Sequence, residues 1–240
     1  MIYIGVNTGT SADAVDAVAI EFGNNKSTFL AASELPFSAA IKQVVQGAVE
    51  DEHISHRALI KLGAQLAQYY QEAVISVCAK IGIAPAEVHA IGLHGQTIHH
   101  CPSHQPPYTL QLDSATEVAQ KLGVRVIANF RSADISQGGQ GAPLIPAYHQ
   151  FLAQQAGESQ TAFVNLGGIA NITWWDEALG QLQGWDVGPA NALLDAWAQR
   201  CLGQPFDNEG RWAQSGKVCP QLLTSLLADP YFAKQPPKST

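Results

Sequence analysis

Short apolar runs alternate along the chain with longer runs of helical periodicity, a pattern typical of an α/β fold. The short runs predict strands at 2–6, 15–22, 28–35, 88–93, 108–112, 124–128, 163–166 and 169–175. Helical spacing of apolar residues predicts helices at 38–49, 54–80, 115–122, 145–154, 191–202 and 218–227. The long helix at 54–80 places Leu62, Leu66 and Val74 on one face, which we expect to cover the first core.

A Gly- and Pro-rich stretch and a polar segment, at 142–160, predict a domain boundary. We place a first domain at 1–145 and a second at 146–240. Each domain begins with a strand, a turn that contains glycine, and a second strand. This duplication predicts two ribonuclease-H-like domains with a nucleotide held between them, gripped by the turn at Gly9 and the turn at Gly167 and Gly168.

The composition narrows the class of partner. The formal net charge is −7 at pH 7, which argues against nucleic acid and membrane surfaces because both favour a basic face. No apolar run approaches the roughly 18 residues of a membrane span, and residues 1–5 lack the basic segment of a signal peptide. The cysteines (Cys78, Cys101, Cys201 and Cys219) are scattered and form no C-x-x-C pair. These features predict a cytoplasmic protein with reduced thiols.

Polar side chains follow two predicted strands at their carboxyl ends, where open α/β sheets bind ligands. His94 and Gln96 follow the strand at 88–93, and Arg131 follows the strand at 124–128. The guanidinium of Arg131 suits an anion or a sugar carboxylate, and a surface ion pair with Asp134 is the alternative. The histidines at 99, 100 and 104 match no usual zinc spacing, so residues 98–104 are interpreted as a polar loop.

The first turn, at residues 9–16, offers backbone N–H groups and hydroxyls that can hold a phosphate. Asp13 and Asp16 lie just beyond its glycine and can serve Mg²⁺ directly or through water. Many hairpins carry Gly and Thr at the turn without any ligand, so the turn alone leaves both interpretations open.

Asp186 stands between apolar neighbours just before Gly188 and Pro189, and an amphipathic run follows. Proline suits the first turn of a helix because its missing N–H would have no partner there. Asp186 is therefore expected to end a strand or loop that leads into a helix. An aspartate there can be a helix cap or a general base.

Several unrelated motifs occur together in a fixed order. They are GTS at 9–11 with Asp13 and Asp16, GLHGQT at 92–97, NFRSAD at 129–134, GGQGAPL at 138–144, NLGG at 165–168 and GWDVGP at 184–189. In this combination the chain resembles the bacterial anhydro-N-acetylmuramic acid kinases, which belong to the actin, hexokinase and Hsp70 nucleotide-binding superfamily. The resemblance implies a ribonuclease-H-like, actin-like ATPase fold with a complete first domain and a partial second domain.

The resemblance also implies roles for the residues. The first ATP-phosphate loop falls on Gly9, Thr10, Ser11, Ala12, Asp13, Ala14, Val15 and Asp16, and the second falls on Gly167 and Gly168. His94, Gln96 and Arg131 fall on the sugar site, Asp186 on the catalytic base, and Asp13 on an Mg²⁺ ligand. The implied reaction uses ATP and water to convert 1,6-anhydro-N-acetylmuramic acid into N-acetylmuramate 6-phosphate in peptidoglycan recycling and amino-sugar catabolism.

The chain departs from the family pattern in places. Ala12 and Ala14 replace a leucine and a glycine of the first loop, and the family continues beyond residue 240 with an adenosine-binding segment. We therefore expect apolar faces at 163–175 and 193–197 to lack cover. An alternative function is a catalytically impaired sugar-binding remnant, and a further one is a related kinase for another sugar or acid. The expected partners are the sugar and ATP, with a homodimer as a further expectation.

Overall fold

The computed structural model describes residues 1–9 and 12–238 and contains two compact units, Met1–Gly141 and Ala142–Thr240. The division between them follows Gly141, four residues before the predicted boundary. Within the described ranges, no helix is long and apolar enough to cross a membrane. Each unit has its own sheet.

The first unit is built on a mixed sheet of five strands. Its strands are β1 (Ile2–Thr8), β2 (Ala14–Gly23), β3 (Lys26–Pro36), β4 (Ala90–Leu93) and, after the hairpin of β5 (Gln96–Cys101) and β6 (Tyr108–Leu112), β7 (Val126–Ile127). The strand order is β3-β2-β1-β4-β7. Strands β1 to β3 pair antiparallel, whereas β4 and β7 continue the sheet in parallel. This order confirms the α/β, ribonuclease-H-like class.

Four helices belong to this unit among its described residues. They are α1 (Ala39–Glu50), α2 (His56–Ile81), α3 (Ala115–Leu122) and α4 (Phe130–Ser136), with a 3-10 turn at Pro85–Glu87. The longest of them, α2, packs on β1, β2 and β3. Ser55 caps the N-terminus of α2, because its Oγ accepts a hydrogen bond from the N–H of Ala58 (3.2 Å). Gly82 caps the C-terminus with a φ of 72°, a left-handed conformation that favours glycine.

The predicted face of α2 is the centre of the first core. Leu62, Leu66 and Val74 are fully buried against strand residues such as Ile4 and Val15. Burial of side chains of this size contributes about 1.5–3 kcal/mol each. The helical periodicity therefore identified the main packing surface of this unit correctly.

The second unit is a three-stranded antiparallel sheet with five helices among the described residues. It contains α5 (Pro146–Ala156), β8 (Gln160–Leu166), β9 (Ile169–Asp176), β10 (Gln181–Pro189), α6 (Asn191–Leu202), α7 (Arg211–Ser215), α8 (Pro220–Leu227) and α9 (Pro230–Ala233), with a 3-10 turn at Asn208–Gly210. The strand order is β10-β9-β8, and α5 packs on this sheet.

The apolar residues of α6 face solvent. Leu193, Leu194 and Trp197 are 60%, 59% and 54% exposed, and Val164 and Leu166 of β8 are exposed as well. The helical spacing of α6 marks these residues as core-facing, but only Ala198 of this helix is buried. The expected lack of cover over 193–197 is therefore present in the structure.

Several elements differ from the sequence-based assignment. The predicted polar loop at 98–104 is wrong for residues 98–101, since β5 extends to Cys101 and pairs with β6 through His99 with Leu110 and Cys101 with Tyr108. The pairing satisfies backbone groups irrespective of side-chain polarity, and it leaves Ile98 buried. Residues 102–104 form a turn, as predicted. Helix α4, the short helices α7 and α9, and most of strand β10 were not predicted, because none of them has a continuous apolar period.

Candidate active site

Asp186 lies on strand β10 at an irregularity in its pairing with β9. Asp186 is opposite Asn171, and the register resumes with Gly188 opposite Ala170. Val187 is therefore the extra residue of a β-bulge, a feature that redirects side chains and is frequent beside active sites. Asp186 is only 8% exposed. The bulge gives this carboxylate a fixed, nearly buried position at the end of the strand.

The helix after Asp186 begins at Asn191, as predicted, but Pro189 does not lie in its first turn. Pro189 is the last residue of β10 and α6 begins at Asn191, so the placement of Pro189 in the first helical turn is wrong. The backbone of Pro189 still pairs with Ile169 on β9. Asp186 thus belongs to the sheet and does not cap α6.

The glycine turn of the second hairpin satisfies the first N–H groups of α6. The carbonyl of Gly168 accepts from the N–H groups of Ala190 (2.9 Å) and Ala192 (3.1 Å), and that of Gly167 accepts from Asn191 (3.0 Å). The side-chain Nδ2 of Asn191 also donates to the carbonyl of Leu166 (2.8 Å). Since the first N–H groups of a helix have no partner within it, these bonds hold the turn, the bulged strand and α6 together.

A second group of polar residues lies in the first unit at the end of β4. The Nε of Arg131 donates to Nε2 of His94 (2.8 Å), and the Nδ1 of His94 donates to the carbonyl of Gly95 (2.7 Å). Arg131 also donates from Nη1 to the carbonyl of Gly141 (2.9 Å), whose N–H donates to Asp134 (2.7 Å). The structure therefore brings His94 and Arg131 together, as expected of two residues of one site.

This pairing requires neutral His94. Burial and the positive charge of Arg131 lower the pKa of His94, while its hydrogen bond to the carbonyl of Gly95 acts in the opposite direction. A neutral imidazole with its proton on Nδ1 leaves Nε2 free to accept from the guanidinium. His94 therefore orients the planar donor group of Arg131, which suits a carboxylate.

Gln96 lies inside the first unit. It is 1% exposed, its N–H donates to the hydroxyl of Tyr70 (3.1 Å), and its Nε2 donates to the carbonyl of Thr97 (3.2 Å). Its Oε1 is buried and meets no donor among the described residues. The sugar contact assigned to Gln96 stays a prediction that requires this side chain to change its rotamer.

The first turn joins β1 to β2, which pair up to Thr8 and Val15. Thr10 and Ser11 lie outside the described residues. Ala12 is in the left-handed region (φ 51°) and its N–H donates to the carbonyl of Gly9 (3.1 Å), whereas Ala14 and Val15 are buried. A phosphate contact of Ala14 or Val15 must therefore use their backbone.

The carboxylates of this turn are exposed. Asp13 forms an ion pair with Lys42 of α1, and Asp16 lies on β2 opposite Glu34 of β3. Within residues 1–9 and 12–238, no three His, Cys, Asp or Glu side chains come together to hold a metal ion. Any divalent ion at this turn would accordingly take most of its ligands from phosphate oxygens and water.

The fold and these groups define a class: a ribonuclease-H-like α/β protein with two glycine hairpins, a strand-end His–Arg pair and a nearly buried aspartate. The family model for anhydro-N-acetylmuramic acid kinase matches residues 1–240. The chain belongs to that family.

Relatives of that name are similar over almost the whole chain. Identity is 44% over 237 residues to the anhydro-N-acetylmuramic acid kinase of Nitrosospira multiformis, covering 99% of this chain and 64% of that relative. It is 41% over 241 residues to the one of Nitrosomonas europaea, covering 100% and 66%. A ROK hexokinase of Thermus thermophilus is similar at 14% identity and a TM-score of 0.40, covering 97% of this chain and 74% of that chain. The chain spans about two thirds of the length of the curated relatives it matches.

Two features of the site were not found from the sequence. One is Asn191, whose side chain joins α6 to the second hairpin, and its position at a helix start was the available signal. The other is the segment at 229–238, which contacts the backbone of Asp186. No local pattern indicates that contact, because 45 residues separate Tyr231 from Asp186.

Proposed function

We propose that this protein is an ATP-dependent phosphotransferase that converts 1,6-anhydro-N-acetylmuramic acid into N-acetylmuramate 6-phosphate. The observation that carries the proposal is Asp186: a carboxylate only 8% exposed, held on a bulge, in a strand that leads into a helix bonded to the glycine hairpin. The family of the chain supports the same activity. The reaction would take place in the cytoplasm, where ATP is available, as a step of peptidoglycan recycling and amino-sugar catabolism.

Asp186 acts as the general base in this proposal. Its carboxylate takes a proton from water, the water oxygen attacks the anomeric carbon, and the bond from that carbon to the bridging 6-oxygen breaks. The freed 6-oxygen attacks the γ-phosphorus of ATP, and ADP leaves. Burial that excludes bulk water favours the one water that is activated.

The other residues bind and orient. Arg131, oriented by neutral His94, binds the carboxylate of the sugar through its donor fork. The N–H groups of the turns at Gly9 and at Gly167 and Gly168 hold the ATP phosphates. Asp13 would hold Mg²⁺, which would neutralise phosphate charge; the exposed, Lys42-paired carboxylate fits an ion that arrives with the nucleotide.

The test is an ATP-consumption assay with 1,6-anhydro-N-acetylmuramic acid, using the parent chain and Asp186→Asn. Loss of a general base should lower turnover by about 100- to 10,000-fold, while calorimetry should show nearly unchanged sugar binding. Asp195→Asn is the matched control, since it makes the same chemical change on α6 and should keep turnover within about twofold. Retained turnover in Asp186→Asn would remove Asp186 from the base role. Sugar binding without ATP binding or turnover in the parent chain would favour the sugar-binding remnant.

A further inference from the structure

The backbone N–H and carbonyl of Asp186 are both hydrogen-bonded to the segment at 229–238. The N–H of Asp186 donates to the carbonyl of Lys238 (2.8 Å), and its carbonyl accepts from the hydroxyl of Tyr231 (2.8 Å). Strand β10 is at one edge of its sheet, so these groups face away from β9. The segment therefore supplies the bonds that a further strand would give at this edge.

The segment is itself anchored around Tyr231. Asp229 accepts the N–H of Tyr231 (2.8 Å) and begins α9. The ammonium of Lys238 donates to the carbonyl of Tyr231 (3.0 Å) and lies 4.6 Å from the centre of its ring. Phe232 lies against Gly188, where an added Cβ would be 2.9 Å from the ring. These contacts surround the bulge on the side that β9 leaves open.

We propose that residues 229–238 form a clamp on the bulge and that Tyr231 is a positioning residue for Asp186. The bulge lies directly after the residue whose direction matters, and the clamp gives a bond to each backbone group of Asp186 that faces away from β9. This inference rests on the proposed function for its kinetic consequence. The clamp itself depends only on contacts within the chain and does not require the proposed function.

The hydroxyl of Tyr231 can donate this hydrogen bond at any neutral pH, because it keeps its proton. Burial and, to a smaller extent, the negative charge of Asp186 raise the pKa of Tyr231 above its usual 10.0. The phenol therefore stays protonated throughout the neutral range, and its bond to the carbonyl of Asp186 persists there. Lys238 does not compete for this bond, since its ammonium binds the carbonyl of Tyr231.

Tyr231→Phe tests the clamp because it removes only the hydroxyl and keeps the ring beneath Lys238. Amide hydrogen exchange of the peptide containing Asp186 should become at least about tenfold faster. In the ATP-consumption assay, kcat should fall about tenfold or more with KM for sugar and ATP within about twofold, because positioning of a catalytic group is felt in the transition state. Tyr148→Phe, which removes a half-buried hydroxyl from α5 of the same unit, is the control and should change neither readout.

The outcomes separate the two proposals. A parent chain without turnover refutes the function, and the exchange data then decide on the clamp alone. Unchanged exchange at Asp186 in Tyr231→Phe overturns the clamp, and so does a kcat within about twofold of an active parent. If Tyr231→Phe fails to fold, Lys238→Met replaces it: this variant removes the ammonium that anchors Tyr231, and the same faster exchange and lower kcat are expected.

Discussion

The His94–Arg131 pair makes the stability of the first unit depend on pH. Because the pKa of folded His94 is lowered from 6.5, the unfolded chain takes up a proton that the folded chain resists as the pH falls through that value. Folded stability is therefore full above about pH 6.5 and declines below it. His94→Gln should flatten this decline, measured by thermal unfolding between about pH 7.5 and pH 5.5.

The protonation state of His94 can also be measured directly at its ring nitrogens. In an imidazole ¹⁵N spectrum at neutral pH, the proton should be on Nδ1, which donates to Gly95. His149→Gln is the comparison for the unfolding series, because burial lowers the pKa of His149 too and its contribution must be subtracted. A proton on Nε2 of His94 would contradict the proposed orientation of Arg131.

Gly95 is expected to tolerate no side chain. Its φ is +76°, and an added Cβ would lie 2.8 Å from the carbonyl oxygen of Leu112 and 2.9 Å from Cα of Asp113. Gly95→Ala should therefore destabilise the first unit by about 2 kcal/mol or more in denaturant unfolding. Gly47→Ala on α1 is the matched control: nothing lies within 4 Å of its added Cβ, so it should be stabilising by about 0.5–1 kcal/mol. Equal effects at the two sites would refute the argument.

For single residues, the sequence predicts the position at a strand end better than it predicts the contacts of the side chain. His94 and Arg131 were placed at strand ends, and the structure joins them by a hydrogen bond. Gln96 was placed by the same rule, yet its side chain lies in the interior. The rule locates a Cα at the end of a strand, whereas side-chain direction also depends on the hairpin of β5 and β6 that begins there.

Among the elements, α6 is stabilised by hydrogen bonds to the hairpin of β8 and β9. Asn191→Ala removes the bond from Nδ2 to Leu166 and should destabilise the second unit by about 0.5–1.5 kcal/mol. All five tryptophans (Trp174, Trp175, Trp185, Trp197 and Trp212) lie in this unit, so their fluorescence reports its unfolding. Gln199→Ala, on the exposed side of α6, should change stability by less than about 0.5 kcal/mol. An equal loss in the two variants would refute the contribution of the bond from Asn191 to Leu166.

Elements with a regular period were predictable, and those defined by distant partners were not. Helix α2 is predictable from its apolar spacing and its serine cap. Strand β5 contains His99 and His100, and it is a strand because β6 pairs with it. Likewise, most of β10 is polar or glycine, and its pairing with β9 determines its conformation. Tertiary hydrogen bonding overrides local preference in both cases.

In the whole molecule, the two units differ in how much of their apolar surface is covered. The first has an extended core around α2, whereas α8 of the second contains no buried residue. Amide exchange should therefore be slow in α2, β1 and β2 and fast in α8, with protection differing by several orders of magnitude. The measurement is peptide-level exchange on the intact chain. Strong protection of α8 would mean that another surface covers Leu222 and Leu226.

The bulge on β10 has a consequence for how this chain can vary. Substitutions change a side chain and leave the ladder as it is, but loss of Val187 would bring Gly188 next to Asp186 and restore an unbroken pairing with β9. The pairs of Asp186 with Asn171 and of Gly188 with Ala170 would then follow one another without the extra residue, and the redirection of the Asp186 side chain by the bulge would be lost. Val187 is 41% exposed, so a substitution of this residue should be tolerated better than its deletion.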